Sequence, residues 1–168
     1  MKRGKREEPT EEQKQIIHEH PEGCGFWAQL FEYTGMRLGE ANGLRWEDVD
    51  LETGFIHVRR AMPWDRNRVY EETLKSENAY RDIPILSPLR PALAEHKRLH
   101  KPWEYVLSGT PEPLSRSRYD WEWSMYCRPL GLCTPVQINS KVKDHPDRVR
   151  TYYKWRAAVT AHQFRHLY

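Results

Sequence analysis

Thr34-Gly35-Met36-Arg37-Leu38-Gly39-Glu40 closes a helix-like segment near the start of the chain, and Thr160-Ala161-His162-Gln163-Phe164-Arg165-His166 stands near its other end. Phe26, Leu30 and Tyr33 precede the first stretch at helical spacing, so one face is expected to be buried and the turn at Gly35 held by the core. Leu38 to Leu44 reads as a short helix carrying Glu40. The second stretch opens on Thr160 and Gln163 in capping-box order, which starts a helix bearing His162 and Arg165 on one face. Arginine offers a planar fork of donors that matches phosphate oxygens in pairs and stays charged, so two converging forks make a phosphate clamp.

Between these stretches the pattern changes period. Thr10 caps a helix running to about His20, and Pro21-Glu22-Gly23 ends it. Residues 54–60, 68–74 and 80–85 read as strands, the last ending at Pro84, and their simplest assembly is a three-stranded antiparallel sheet. Lys75 then falls on the turn between the second and third strands. Ser87-Pro88 is expected to start a helix that continues to about His100, Trp103 to Ser108 to be extended, and Ser117 to Pro129 to be a helix whose Trp121, Met125 and Leu130 join the core. Residues 131–157 read as partly irregular, with 139–157 an insertion. The fold class is therefore α+β, mainly α-helical with a small three-stranded antiparallel sheet. Residues 1–9 form a basic N-terminal linker and 10–168 one domain.

Composition bounds the rest. A chain of 168 residues suits one modest core. Charged residues make up 30% and the mean hydropathy is -0.91, and no apolar run approaches the roughly 18 to 20 residues a bilayer needs, so a soluble cytoplasmic protein is expected. The basic start, Met1 to Arg6, leads into Glu7 and Glu8 and not into the apolar core of a secretory signal. Cys24, Cys127 and Cys133 lack zinc-site spacing and read as reduced thiols. The set His18, His20 and Cys24 lacks a fourth ligand, and no metal is expected. The net charge is only +3. It is unevenly placed: Lys141, Lys143, Arg148, Arg150, Lys154 and Arg156 stand against Asp144 and Asp147, interleaved with Tyr152, Tyr153 and Trp155. That mixture fits phosphate contact with stacking, and it equally fits a solvated loop.

The two arginine stretches, in this order and separation, resemble the catalytic domain of tyrosine recombinases, the phage-integrase family that cuts and rejoins DNA through a phosphotyrosine. The resemblance runs from about Thr10 to Tyr168. The family carries an active-site lysine on a hairpin followed by an Arg-x-Ile-Pro-like strand, and Lys75 with Arg81, Ile83 and Pro84 matches it.

The resemblance implies roles. Arg37 and Arg165 would neutralise the scissile phosphate, Lys75 would protonate the leaving 5′ oxygen, and His162 would assist proton transfer on the nucleophile's side. Glu40 would orient an arginine fork or the local helix; His166 would join the site or pack the helix. Lys141, Lys143, Arg148 and Arg150 are candidate DNA contacts. Double-stranded DNA is the implied partner, in a bacterial or phage setting, with the parent protein assembling on DNA. Neither cofactor nor metal is implied, because the covalent linkage conserves the bond energy. Relatives continue for several helical turns past the Arg-His pair before the nucleophilic tyrosine, and they carry a further DNA-clasping domain. The expectation is thus an incomplete strand transferase, with Tyr168 a core position; the alternative is a non-catalytic DNA-binding module that reuses the fold.

Overall fold

The computed structural model describes residues 8–72, 80–142 and 145–167; the side chains at 141, 142, 145–147, 166 and 167 are outside that description. Helix α1 (Glu11–Glu19) starts where expected: the Thr10 hydroxyl accepts from the Gln13 amide at 3.2 Å and the Gln13 side chain accepts from the Thr10 amide at 3.0 Å. Helix α2 (Gly25–Thr34) buries Phe26, Trp27, Ala28, Leu30 and Phe31. It ends at Gly35, whose φ of 59° is left-handed and suits glycine. Helix α3 (Leu38–Gly43) follows at once.

The three-stranded antiparallel sheet is present, with a different membership. Its order is β1 (Val49–Asp50), β2 (Phe55–Val58), β5 (Arg81–Pro84). The run expected as its second strand instead closes a ribbon of its own, β3 (Trp64–Asp65) against β4 (Arg68–Val69). The reason is local: Arg66 and Asn67 make a tight turn, with Arg66 at φ 54°, and this folds the chain back before it can reach β2. Helix α4 (Arg90–Leu99) begins later than the Ser-Pro pair suggests, with Pro91 in its first turn and residues 87–89 a preceding turn. Trp103 to Ser108 is mostly turn, touching the sheet region by an Arg45–Tyr105 bridge.

Helix α5 (Arg116–Cys127) is capped by Ser115, whose hydroxyl accepts from the Arg118 amide. Tyr119, Trp123 and Cys127 face the core, while Trp121 and Met125 point out at 64% and 47% exposure, contrary to their expected burial. Positions 119, 123 and 127 form one i, i+4, i+8 stripe and 121 and 125 lie on the opposite side, so both sets could not be buried against one core. From Cys133 to Ala157 the described residues are regular strand, contrary to the expected irregularity. They form a long hairpin, β6 (Cys133–Val142) against β7 (His145–Ala157), in continuous register from Cys133↔Ala157 to Lys141↔Val149. The last described element is a 3-10 helix, Ala161–Leu167.

One buried amide ties these parts together. Asn42 is fully buried on α3; its Nδ2 donates to the carbonyls of Met62 at 2.8 Å and Leu114 at 3.1 Å, and its Oδ1 accepts from the Leu114 amide at 3.0 Å. The start of α5 is thereby fixed against α3. The core beneath contains Trp46, Phe31, Phe164, Ile17, Leu30 and Met36. No helix among the described residues is long and apolar enough to cross a membrane. Asn42→Ala strips the Met62 carbonyl and the Leu114 amide of their partner, while the Leu114 carbonyl keeps Trp64 Nε1, and is expected to lower stability by about 3 kcal/mol, read as a shift of the urea midpoint at unchanged slope. A loss under about 1 kcal/mol would mean that the clasp does not hold α5.

Candidate active site

Arg37 is the last of the three residues between α2 and α3, in extended backbone, so the left-handed turn at Gly35 decides where its side chain leaves the core. The 3-10 helix packs back on α2. Phe164 is fully buried, edge-on to His18 with ring centres 6.3 Å apart, and Ala161 and Val159 are buried beside it. Trp123 holds the approach to this helix by donating from Nε1 to the Val159 carbonyl at 2.6 Å. In a 3-10 helix, residues i and i+3 eclipse, so His162 and Arg165 leave on the same side. The expected capping contact is present in part: the Gln163 side chain accepts from the Thr160 amide at 2.6 Å.

Arg165 then reaches across the chain, and its Nε donates to the Gly35 carbonyl at 2.8 Å. Arg37, His162 and Arg165 line one cleft of about 630 Å³, together with Leu38, Thr160, Gln163 and Arg116. Sequence reasoning did not single out Arg116. Its placement depends on the Asn42 clasp, a contact between positions 72 residues apart, although its position just after the Ser115 cap was visible. Asp120 accepts from Arg116 Nε at 2.8 Å, and the guanidinium stands 5.4 Å from the centre of the Trp64 ring.

Glu40 is the negative counterpart of the cleft. Its side chain is only 3% exposed, and it accepts from the Arg37 amide at 2.8 Å, from Arg37 Nη1 at 3.4 Å, and from both terminal nitrogens of Arg81 at 3.0 and 2.8 Å. Burial pushes its carboxyl up, but the Arg81 fork and the Arg37 amide more than offset that and hold it below the usual carboxylate range. Arg81 thus belongs to the site through Glu40. Arg37 itself is 69% exposed, with its stem fixed by the backbone bond to Glu40 and its fork toward solvent.

The remaining sequence candidates divide. Lys75, Lys143 and Tyr168 lie outside the described residues, as do the side chains of Lys141 and His166. Arg148 and Arg150 are exposed on β7, and Arg150 lies 5.9 Å from the Tyr152 ring centre. Both stand on β7, where Arg150 lies opposite Ser140. The thiols are free, and burial pushes Cys24 up to about 12 and Cys127 higher still, which leaves both as inert packing groups. No cluster of metal-binding side chains occurs among the described residues.

No protein-family model matches the chain. The tyrosine recombinase XerC-like protein of Caldanaerobacter subterraneus subsp. tengcongensis is 38% identical over 73 residues, 38% of this chain and 19% of that protein. The prophage integrase IntR of Escherichia coli K12 is 37% identical over 70 residues, 40% of this chain and 16% of that protein. The Tn1549 transposon integrase, solved with circular intermediate DNA, superposes with a TM-score of 0.66 at 16% identity over 99% of this chain and 54% of the integrase; its complex with transposon right end DNA gives 0.60 at 18% identity. The chain therefore spans about half of the solved integrase, and the two sequence matches cover less than a fifth of either relative. Part of the sequence is thus similar to tyrosine recombinases and integrases, and the fold is that of the solved integrase.

Glu40→Gln tests the electrostatic support of the cleft. Because the folded carboxyl is held low, its stabilising contribution is complete above the ordinary carboxylate value of about 4.3 and is lost as pH falls through the lower folded value. The variant is expected to be less stable than the parent by about 2 kcal/mol at neutral pH, with the gap closing in acid. Denaturant midpoints across that range check it; a gap independent of pH would assign Glu40 a packing role only.

Proposed function

We propose that this chain supplies the phosphate-activating part of a site-specific DNA strand transferase. In that reaction a nucleophilic oxygen bonds to phosphorus, the bond to the 5′ oxygen breaks, and the departing oxygen takes a proton. Charge grows on the non-bridging oxygens as this happens. Arg37 and Arg165 would meet those oxygens with forks already in position, so little reorganisation is needed in the transition state. His162 would handle the proton on the nucleophile's side, and Lys75 would deliver one to the leaving oxygen. Glu40 would hold Arg81 through two short bonds and the Arg37 amide through a third, and it meets the Arg37 fork only at 3.4 Å.

The observation that carries this reading is the cleft itself. Two arginines 128 positions apart enter one cavity, and the second is hydrogen-bonded to the turn that presents the first. The partner is double-stranded DNA, with His166 beside the phosphate and Lys141, Lys143, Arg148 and Arg150 extending contact along the β6–β7 hairpin. The whole protein would act as an assembly on DNA in a bacterial or phage cytoplasm. Tyr168, only three residues past Arg165, is not the nucleophile in this reading, so strand cleavage needs a tyrosine from outside these residues.

Duplex binding tests the clamp. Each of Arg37→Ala and Arg165→Ala is expected to weaken binding about tenfold and to reduce the salt slope by about one; the double variant loses no more slope than either single one, because both forks meet one phosphate. A double variant that loses twice the slope would place the arginines on separate phosphates. A nicked substrate that traps covalent intermediates is expected to give no adduct on Tyr168, and an adduct there would overturn the assignment of the nucleophile.

A further inference from the structure

A second cavity, about 890 Å³, opens beside the cleft and shares Arg116 with it. Its floor is the outward face of α5, where Trp121 and Met125 are 64% and 47% exposed. One wall is β7, which contributes Lys154 and Trp155, the latter 40% exposed with the Arg128 guanidinium 4.5 Å from its ring centre. The other wall is the β3–β4 turn, which contributes Arg66. That turn is fastened to the helix, since Asn67 Oδ1 accepts from the Ser117 amide at 2.7 Å.

Two features mark the groove as a binding surface. Large apolar rings and a methionine are left in solvent side by side, with cations around them and Asp120 the one acid among the lining residues. Arg66 also stands at the tip of the tight β3–β4 turn, whose two-residue connection accounts for its φ of 54°, and so adds a cation to the rim of the groove. Ring faces that accept a base, set among charges that accept phosphate, fit an unpaired nucleic-acid strand better than a duplex, whose bases are already stacked. A duplex would offer the rings only its sugar-phosphate edge.

We propose that this groove holds the unpaired terminal nucleotides of the DNA strand whose 5′ oxygen departs from the phosphate in the Arg37–Arg165 cleft. The inference rests on the proposed strand-transfer reading for its purpose: once the bond to the 5′ oxygen has broken, the freed strand ends in a hydroxyl and has to leave its complement before it can attack elsewhere. Arg116, common to both cavities, bridges the phosphate of the cleft to the strand in the groove. Trp121 and Trp155 offer stacking faces, while Arg66 and Lys154 follow the backbone.

Binding of a short fluorescein-labelled oligothymidylate, followed by anisotropy and by quenching of tryptophan fluorescence, tests this directly. Trp121→Ala with Trp155→Ala is expected to weaken single-strand binding at least tenfold and remove most of the quenching, while duplex affinity and its salt slope stay within twofold. Trp121→Phe with Trp155→Tyr keeps the rings and is expected to restore most of the affinity, which separates stacking from misfolding. Arg66→Gly, which removes the charge and relieves the backbone, is expected to weaken oligonucleotide binding without lowering the melting temperature. An abasic oligomer of the same length should bind at least tenfold more weakly than oligothymidylate. The proposal is overturned if the alanine pair binds oligothymidylate like the parent, if the abasic oligomer binds equally well, or if the parent self-associates through these tryptophans and ignores the oligonucleotide. Loss of duplex binding in the arginine variants of the cleft is read separately, so failure of the groove and failure of the clamp give different patterns.

Discussion

The carbonyl of Gly35 sits at the C-terminal end of α2, where carbonyls lack partners within the helix and the helix dipole is negative. Arg165 fills that place from the far end of the chain. A cation is the right partner there, because the bond is charge-assisted and runs with the dipole. The same bond settles where the 3-10 helix rests, and with it His162. Around this junction, Phe164 supplies the buried area and Trp123 holds the preceding backbone, so the arginine is positioned by packing as well as by charge.

Other constraints follow from the same turn. Gly35 adopts a left-handed conformation that sets the direction of Arg37, and Glu40, one helical turn on, holds the Arg37 amide and the Arg81 fork together. A buried carboxylate would be costly alone; shared by two arginines and a backbone amide it becomes a rigid support. Asn42 on the same short helix then fixes the start of α5, which brings Arg116 to the cleft and turns Trp121 toward the second groove. Six residues of helix therefore connect the sheet, α5 and the arginine-lined cleft.

The helices and the meeting of Arg37, His162 and Arg165 in one cleft were legible because their signals are local: a capping box at Thr10, a glycine at the end of α2, an i, i+3 pair of His162 and Arg165. The strands were legible as strands but not as partners. Nothing local says that residues 68–69 pair with 64–65, because the decision is made by the Arg66–Asn67 turn, with an arginine in an uncommon backbone region. The long hairpin was missed for a different reason. Its alternation of Val136 and Ile138 with polar neighbours, and of Val149, Thr151, Tyr153 and Trp155 with Arg148, Arg150, Tyr152 and Lys154, is a strand signal, yet the dense charge drew attention to composition instead of period. Trp121 and Met125 were assigned to the core on hydrophobicity alone; their phase relative to Tyr119 and Trp123 places them outside. Arg116 and the Arg81–Glu40 pairing depend on long-range contacts that no local pattern encodes.

A crystal structure of the protein soaked with tungstate, a tetrahedral phosphate mimic with strong anomalous scattering, tests the central claim most directly. The account predicts one anion in the cleft within hydrogen-bond distance of both the Arg37 and Arg165 guanidiniums, with Arg165 Nε still on the Gly35 carbonyl. Anions bound to the two arginines at separate places, or a cleft that takes none while other surface cations do, would contradict it.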